Sequence, residues 1–271
     1  MILGDARCPS GHPYAGWMDA TLERIWGLAG NGESIELAVR PHLVETLLQR
    51  WPPAGLERHD RPVGDVVVQR GLSDEWIIIP DREPSGDNPP LLAWDQLEQS
   101  ITLFTVHRMV DVVPVHSAAI EWHGRVMVVP ALSGGGKSTL SVAAHEAGAT
   151  VLSDEYTLID PASGLVTGWP RAVRILNDDG TADRRSIAVT SGPLPVGLVA
   201  AVSHSPGAGN DWAPLSPGEI VGTLLGHALC ARERPDQSFD AALAVSRTAR
   251  GIKGTRGDAA DAVHDLLALM E

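Results

Sequence analysis

Cysteine is nearly absent: Cys8 and Cys230 are the two thiols in 271 residues. Two cysteines build neither a disulfide framework nor a cysteine-rich metal cluster, and they suit a reducing compartment. An excess of positive charge is missing too. The formal net charge is −13, which works against nucleic acid and anionic membrane surfaces, since both need local positive charge. No apolar run reaches the length needed to span a bilayer. The first residues, Met1-Ile2-Leu3-Gly4-Asp5-Ala6-Arg7, lack a basic segment followed by an apolar core. Together these absences lead to the expectation of a cytoplasmic protein with no membrane and no nucleic-acid partner.

What remains is an ordinary globular composition. A hydrophobic fraction of 44% over 271 residues supports one large or two modest domains with a real core. The proline-rich stretch Pro80 to Pro90 (PDREPSGDNPP) suits neither strand interior nor helix and marks a loop or linker. It separates an expected small α+β unit over 1–90 from a larger domain over 91–271. In the first unit, Ile35, Leu37 and Val39 alternate as a half-buried strand, and Leu43, Leu47 and Leu48 mark a short helix after Pro41. Val66–Val68 and Trp76–Ile79 flank Gly71-Leu72-Ser73-Asp74 as a hairpin. This unit carries no chemical motif. Positioning a substrate, binding a leader peptide and completing the fold all remain open for it.

Beyond the linker, Trp94, Leu97, Ile101 and Phe104 keep helical spacing and predict one face packed on a sheet. Ser216-Pro217-Gly218-Glu219 has capping-box spacing. The stripe Ile220, Val221, Leu224, Leu225, Ala228 and Leu229 should be buried behind it. Cys230 is expected on a helix, as packing. A last helix begins near Asp258 and buries Ala262, Val263, Leu266, Leu267 and Met270. The polar run Asn177 to Ser191 is either a mobile substrate loop or a plain surface loop. The basic run Gly251 to Gly257 reads equally as a phosphate or substrate contact and as a turn before the terminal helix.

The chemistry concentrates in residues 131–138, ALSGGGKS. An apolar strand, Arg125 to Val129, precedes Gly134-Gly135-Gly136-Lys137-Ser138, and a helix follows through Ala144 towards Gly148. Strand, glycine turn and helix together cradle a nucleotide phosphate tail. Ser133, Gly134, Gly135, Gly136 and Thr139 belong to the cradle. Lys137 brings charge to the terminal phosphates, and Ser138 offers its hydroxyl to Mg²⁺. The usual first glycine of the motif is here Ala131. The next strand, Thr150 to Ser153, runs into Asp154-Glu155. One carboxylate can help hold Mg²⁺ while the other accepts a proton from an attacking hydroxyl. Upstream, Ser117 to Trp122 and Arg125 to Val129 read as two strands joined by a two-residue turn, with His116 just before the first.

The order His116-Ser117-Ala118-Ala119, His123-Gly124, ALSGGGKS and Leu152-Ser153-Asp154-Glu155 resembles the catalytic domain of HPr kinase/phosphorylase. More closely it is similar to the shorter HPr-kinase-related proteins of peptide-maturation clusters, including lasso-peptide kinases. The match runs from about His116 to the C-terminus and is strongest over 116–160. It implies an α/β fold with a mixed sheet, the HPr kinase C-terminal domain and PEP carboxykinase-like P-loop fold, beside a small N-terminal α+β unit. It implies ATP and Mg²⁺ as cofactors, with Ser138, Asp154 and Glu155 near the metal. The acceptor it implies is a serine hydroxyl of a peptide or protein, and the family's habit implies a homo-oligomer. The paired acids are both aspartates in HPr kinase proper, so Glu155 leaves open which acid is the base. His116 matches a histidine bordering the family's active site, although a lone histidine is also a common packing residue. Arg171 or Arg174, in a stretch resembling the family's Pro-Arg segment, neutralises phosphoryl charge or is a solvated strand-edge arginine. The family's signature for reverse, phosphate-dependent dephosphorylation is not recognisable. An HPr-type protein, free serine or another metabolite is an alternative acceptor. A nucleotide-binding scaffold or sensor without transfer is the alternative class.

Overall fold

The computed structural model describes residues 109–271 apart from 133, 170, 177–181 and 190, with residues 102 and 106 and the backbone of four N-terminal strands. The chain divides into two compact units, Met1–Arg108 and Met109–Glu271. In the first, β1 (Glu23–Ala29), β2 (Ser34–Val39), β3 (Leu56–His59) and β4 (Val66–Val68) form one sheet in the order β3-β1-β2-β4. The alternating Ile35, Leu37 and Val39 fall in β2, as their period-two pattern predicts. Strand β4 pairs in parallel with β2. Its expected hairpin partner Trp76–Ile79 lies outside the described residues, as do the Leu43–Leu48 helix, the proline-rich stretch, and Trp94, Leu97, Ile101 and Phe104.

The second unit runs β5 (Val113–Trp122), β6 (Arg125–Pro130), α1 (Lys137–Glu146), β7 (Thr150–Ser153), β8 (Tyr156–Ile159), β9 (Val166–Gly168), β10 (Val173–Leu176), β11 (Ala182–Arg185), β12 (Val196–His204), β13 (Asp211–Pro214), α2 (Pro217–His227), α3 (Pro235–Ser246), β14 (Arg250–Arg256) and α4 (Ala259–Ala268). Eight strands make one sheet in the order β13-β14-β12-β6-β5-β8-β9, with β7 also against β5. Strands β6, β12 and β14 are mutually parallel, whereas β5 is antiparallel to β6, β7 and β8. The class is α/β with a mixed sheet. Two-residue loops turn antiparallel pairs easily, whereas parallel pairs need long crossovers. Here α2, α3 and the loops around them span the distance from β12 to β14.

Side-chain alternation explains why both faces are core. Met127 and Val129 of β6 join Leu198, Ala200 and Val202 of β12 under α1 and α4. Val126 and Val128 point the other way and meet Ile220 and Leu224 of α2 and Ala241, Ala242 and Val245 of α3. A strand covered on both faces needs apolar residues at every position, hence the unbroken run Val126-Met127-Val128-Val129. Full burial of a side chain such as Leu198 or Ile120 is worth about 1.5–3 kcal/mol each.

Helix α2 starts as its sequence dictates. The Ser216 Oγ accepts from Glu219 N at 3.3 Å, the Glu219 carboxylate accepts from Ser216 N at 2.9 Å, and Pro217 takes the first position. The expected core of α4 is complete, with Ala262, Val263, Leu266, Leu267 and Met270 all buried. Three expectations are corrected. Ala228 leaves helical geometry with ψ 123° and bridges Val115, so α2 stops at His227 and Cys230 lies buried in the following turn, not on a helix. The basic run Gly251 to Gly257 is mostly strand β14, drawn into the sheet by parallel pairing with β12. Within Asn177 to Ser191, residues 182–185 form β11 against β10, because the apolar side of β10 packs Val173 onto Val142 and Val151.

Candidate active site

The β5–β6 hairpin aims the glycine turn. His123 and Gly124 both take positive φ, 50° and 78°, the combination that a two-residue hairpin loop with native twist requires. Strand β6 then delivers the chain to the sheet edge, where Gly134 (φ 81°) and Gly136 (φ 80°) fold it back into α1. Gly135 N donates to Leu132 O at 3.0 Å and closes the turn. The start of α1 inverts normal helix chemistry. Its cap, Gly136, has no side chain to offer, its first turn has no acid, and Lys137 sits at its first position. A helix N-terminus ordinarily recruits a capping oxygen and negative charge. Left bare and given a lysine, this one can receive an anion.

Strand β5 explains how the acid pair reaches that turn. Its first half carries β8, with His116 opposite Tyr156, and its second half carries β7, with Ala119 opposite Ser153. Asp154 and Glu155 occupy the bend between β7 and β8. Ser153 Oγ fixes that bend by accepting from Glu155 N (3.2 Å) and Tyr156 N (3.0 Å), and Ser117 N donates to Glu155 O at 3.0 Å. A register shift between Ala119 and Ile120 adds a bulge beside the bend, a device that re-aims side chains next to functional sites.

The two motifs touch. Ser138 Oγ donates to Asp154 Oδ2 at 2.7 Å, a charge-assisted bond of the short, strong kind. Arg171 Nε lies 3.3 Å from Asp154 Oδ1, and its Nη1 pairs with Glu155 Oε2. Lys137 Nζ donates to the loop carbonyls of Ala131 (2.7 Å) and Leu132 (3.2 Å). Asp154, Glu155 and Lys137 are all buried.

Burial dominates the electrostatics. It raises the Glu155 pKa, an effect Arg171 opposes and Asp154 reinforces. It lowers the Lys137 pKa, while the two carboxylates push it back up. His116 is lowered to about 4 by burial and by Lys137, His227 and Arg171, so its ring is neutral at pH 7. His227, at the end of α2, is lowered by burial and Lys137. Burial and Glu155 raise Tyr156, which keeps its hydroxyl protonated and able to donate to Glu155. A carboxyl with raised proton affinity beside the glycine turn can act as a proton acceptor.

Of the residues read from sequence, Lys137, Ser138, Asp154, Glu155, Arg171 and His116 gather at this one place. Gly134, Gly135 and Gly136 form the turn, and Thr139 is exposed in the first turn of α1. Ser133 lies outside the described residues. His116 sits inside β5 rather than just before it, since its pairing with Tyr156 extends the strand. Sequence reasoning missed His227 and Tyr156, and left Arg256 undecided within its basic run. Arg256 Nη2 donates to Gly136 O at 3.0 Å.

The donor set suits Mg²⁺. A hydroxyl and a carboxylate oxygen 2.7 Å apart are hard ligands, and this cation is usually held by one or two carboxylates plus phosphate and water. Among the described residues no group of three or more His, Cys, Asp or Glu makes a self-sufficient metal cage. No family model matches the sequence, and no curated protein matches it. Among the described residues no helix is long and apolar enough to cross a membrane.

Proposed function

We propose that this chain is an ATP-dependent kinase of the HPr-kinase-related type, acting in the cytoplasm on a serine hydroxyl of a ribosomally made, lasso-type precursor peptide. The observation that carries the reading is the bond from Ser138 to Asp154, which joins the glycine turn to the acid pair. The hairpin entry into the turn, in place of a parallel crossover, supports the HPr kinase-like and PEP carboxykinase-like form of the P-loop fold.

In the proposed mechanism the backbone N–H groups of the turn and of α1 hold the β- and γ-phosphates, with Lys137 beside them. Ser138 and Asp154 would hold Mg²⁺, which when bound supplies charge neutralisation at those phosphates. Glu155, with its raised proton affinity, takes the proton of the acceptor hydroxyl as that oxygen bonds to the γ-phosphorus. The bond from the γ-phosphorus to the β–γ bridging oxygen breaks, and ADP leaves with the electron pair. Arg171 orients both carboxylates and offsets their charge.

The test is incubation with ATP–Mg²⁺ and candidate serine-containing peptides, read by mass spectrometry. A gain of one phosphate on a peptide, with free serine unchanged, is expected. Transfer to an HPr-type protein or to free serine alone would reassign the acceptor. A nucleotide-dependent scaffold is the second reading, favoured by Arg171, which engages both carboxylates at once. It predicts ATP binding with no transfer to any acceptor.

A further inference from the structure

Two strands away from the strand that enters the glycine turn, β14 ends in Arg256, whose residue is 2% exposed. Its Nη2 donates to Gly136 O at 3.0 Å and its Nη1 to Gly257 O at 3.0 Å. Gly136 O also accepts from Leu140 N at 3.0 Å, so the arginine supplies a second bond at the point where the turn becomes helix. Gly136 is the left-handed cap of α1. A Cβ placed there would run into Arg256 Nη2. The left-handed conformation favours glycine here, and a side chain would also displace the guanidinium from its seat against the cap.

The arginine is itself held in place. Parallel pairing sets Arg256 beside His204, and Ser205 N donates to Arg256 O at 2.9 Å. Gly257 N donates to Asn210 Oδ1 at 3.3 Å, and Asn210 Nδ2 reaches Asp265 Oδ2 on α4 at 2.7 Å. Among the described residues, the hydrogen-bond acceptors of the guanidinium are carbonyl oxygens; burial lowers its pKa, and the Asp258 carboxylate opposes that shift through space without a direct ion pair. Burying a cation that anions only partly compensate is costly, and Asp258 offsets that cost in part. Its position behind an anion-binding turn gives it a compensating charge whenever phosphate is bound.

We propose that Arg256 is a positioning residue for the nucleotide phosphates, acting through Gly136. It holds the left-handed cap, keeps the N–H groups of the turn and of α1 aimed at one point, and sets a fixed positive charge behind them. The inference rests on the kinase reading of the site and extends it to a strand that contributes no reacting group.

The experiment is calorimetric titration of Mg–ATP into the full chain as wild type, Arg256→Gln, Arg256→Lys and Lys253→Ala. It is run at a temperature where circular dichroism finds each variant fully folded. Loss of a charged hydrogen bond predicts a Kd about tenfold higher for Arg256→Gln. Arg256→Lys keeps the charge and one donor but loses the fork, so a rise of about threefold is expected. Lys253→Ala, on the same strand but exposed and paired with Glu219, should bind as wild type does. Equal affinity in wild type and folded Arg256→Gln overturns the proposal and leaves the kinase reading intact. An equal loss in Lys253→Ala also overturns it, by making the effect a property of the strand. If Arg256→Gln does not fold, Arg256→Lys decides: a weakened Kd supports the role and an unchanged one overturns it. A wild-type chain that binds no ATP removes both readings.

Discussion

Residues 113–160 and residues 196–256 build adjoining parts of one sheet, yet they contribute differently. The first stretch holds β5, β6, α1, β7 and β8, joined by short turns. It carries Lys137, Ser138, Asp154, Glu155 and His116. The second holds β12, which pairs in parallel with β6, and β14, which pairs in parallel with β12, each after a long crossover. It places at the glycine turn a single charged side chain, Arg256, by contacts that the crossovers make possible. Local hairpin pairing gathers the candidate site residues cheaply, because little loop entropy is lost in bringing them together. The distant strands supply burial and fix the geometry. The candidate site residues and their support are divided along the chain.

The sharpest way to break this comparison is Asp154→Asn. It should cut phosphate transfer by about 10²–10³-fold while ATP binding changes little, since a carboxylate in a proton-transfer or metal role is worth that much. Transfer rates and calorimetric Kd values check it, and near wild-type turnover would remove Asp154 from the chemistry. Lys137→Ala should act the other way round, raising the Kd for ATP by about tenfold or more through loss of the phosphate-facing charge. On the supporting side, Leu198→Ala in β12, a fully buried position, should cost about 2–5 kcal/mol in denaturant unfolding. It should leave turnover per folded molecule near wild type. A large loss of turnover in the folded fraction would erase the division between the two stretches.

The legibility of the sequence follows the same line. The turn at Gly134–Gly136, the β5–β6 hairpin, the Ser216 cap and the apolar face of α4 are local patterns, and each forms where its residues predict. The meeting of Ser138 with Asp154 was also readable, because one helix and one turn separate them. Arg256 was not. Its basic run reads as a turn until β12 is known to pair with it in parallel, and no local spacing encodes a partner fifty residues away. His227 was hidden likewise, since it reaches Lys137 and His116 through the Val115–Ala228 bridge. The end of α2 was missed because Ala228 and Leu229 keep the apolar period while their backbone is spent on that bridge and on Leu229 N donating to Pro114 O at 2.9 Å.

Smaller effects refine the picture. His116 has a pKa depressed from 6.5 to about 4, with burial the largest cause and Lys137 next. A depressed pKa favours the neutral ring in the folded state, so its stabilising share is complete above pH 6.5 and disappears as pH falls towards 4. His116→Asn should therefore flatten the fall in Tm between pH 6.5 and pH 4, with His227 retaining part of the slope. An unaltered slope would contradict the half-buried, neutral assignment. Ser216→Ala should lower unfolding stability by about 1 kcal/mol through loss of the cap, with transfer unaffected.

The most direct measurement is a crystal structure of the chain with Mg²⁺ and a non-hydrolysable ATP analogue. The account predicts β- and γ-phosphates within hydrogen-bonding distance of the Gly134–Lys137 backbone and the Lys137 ammonium, with Mg²⁺ on Ser138 and Asp154 and the γ-phosphate facing Glu155. A nucleotide bound away from the glycine turn, or one whose γ-phosphate points away from both carboxylates, would contradict it.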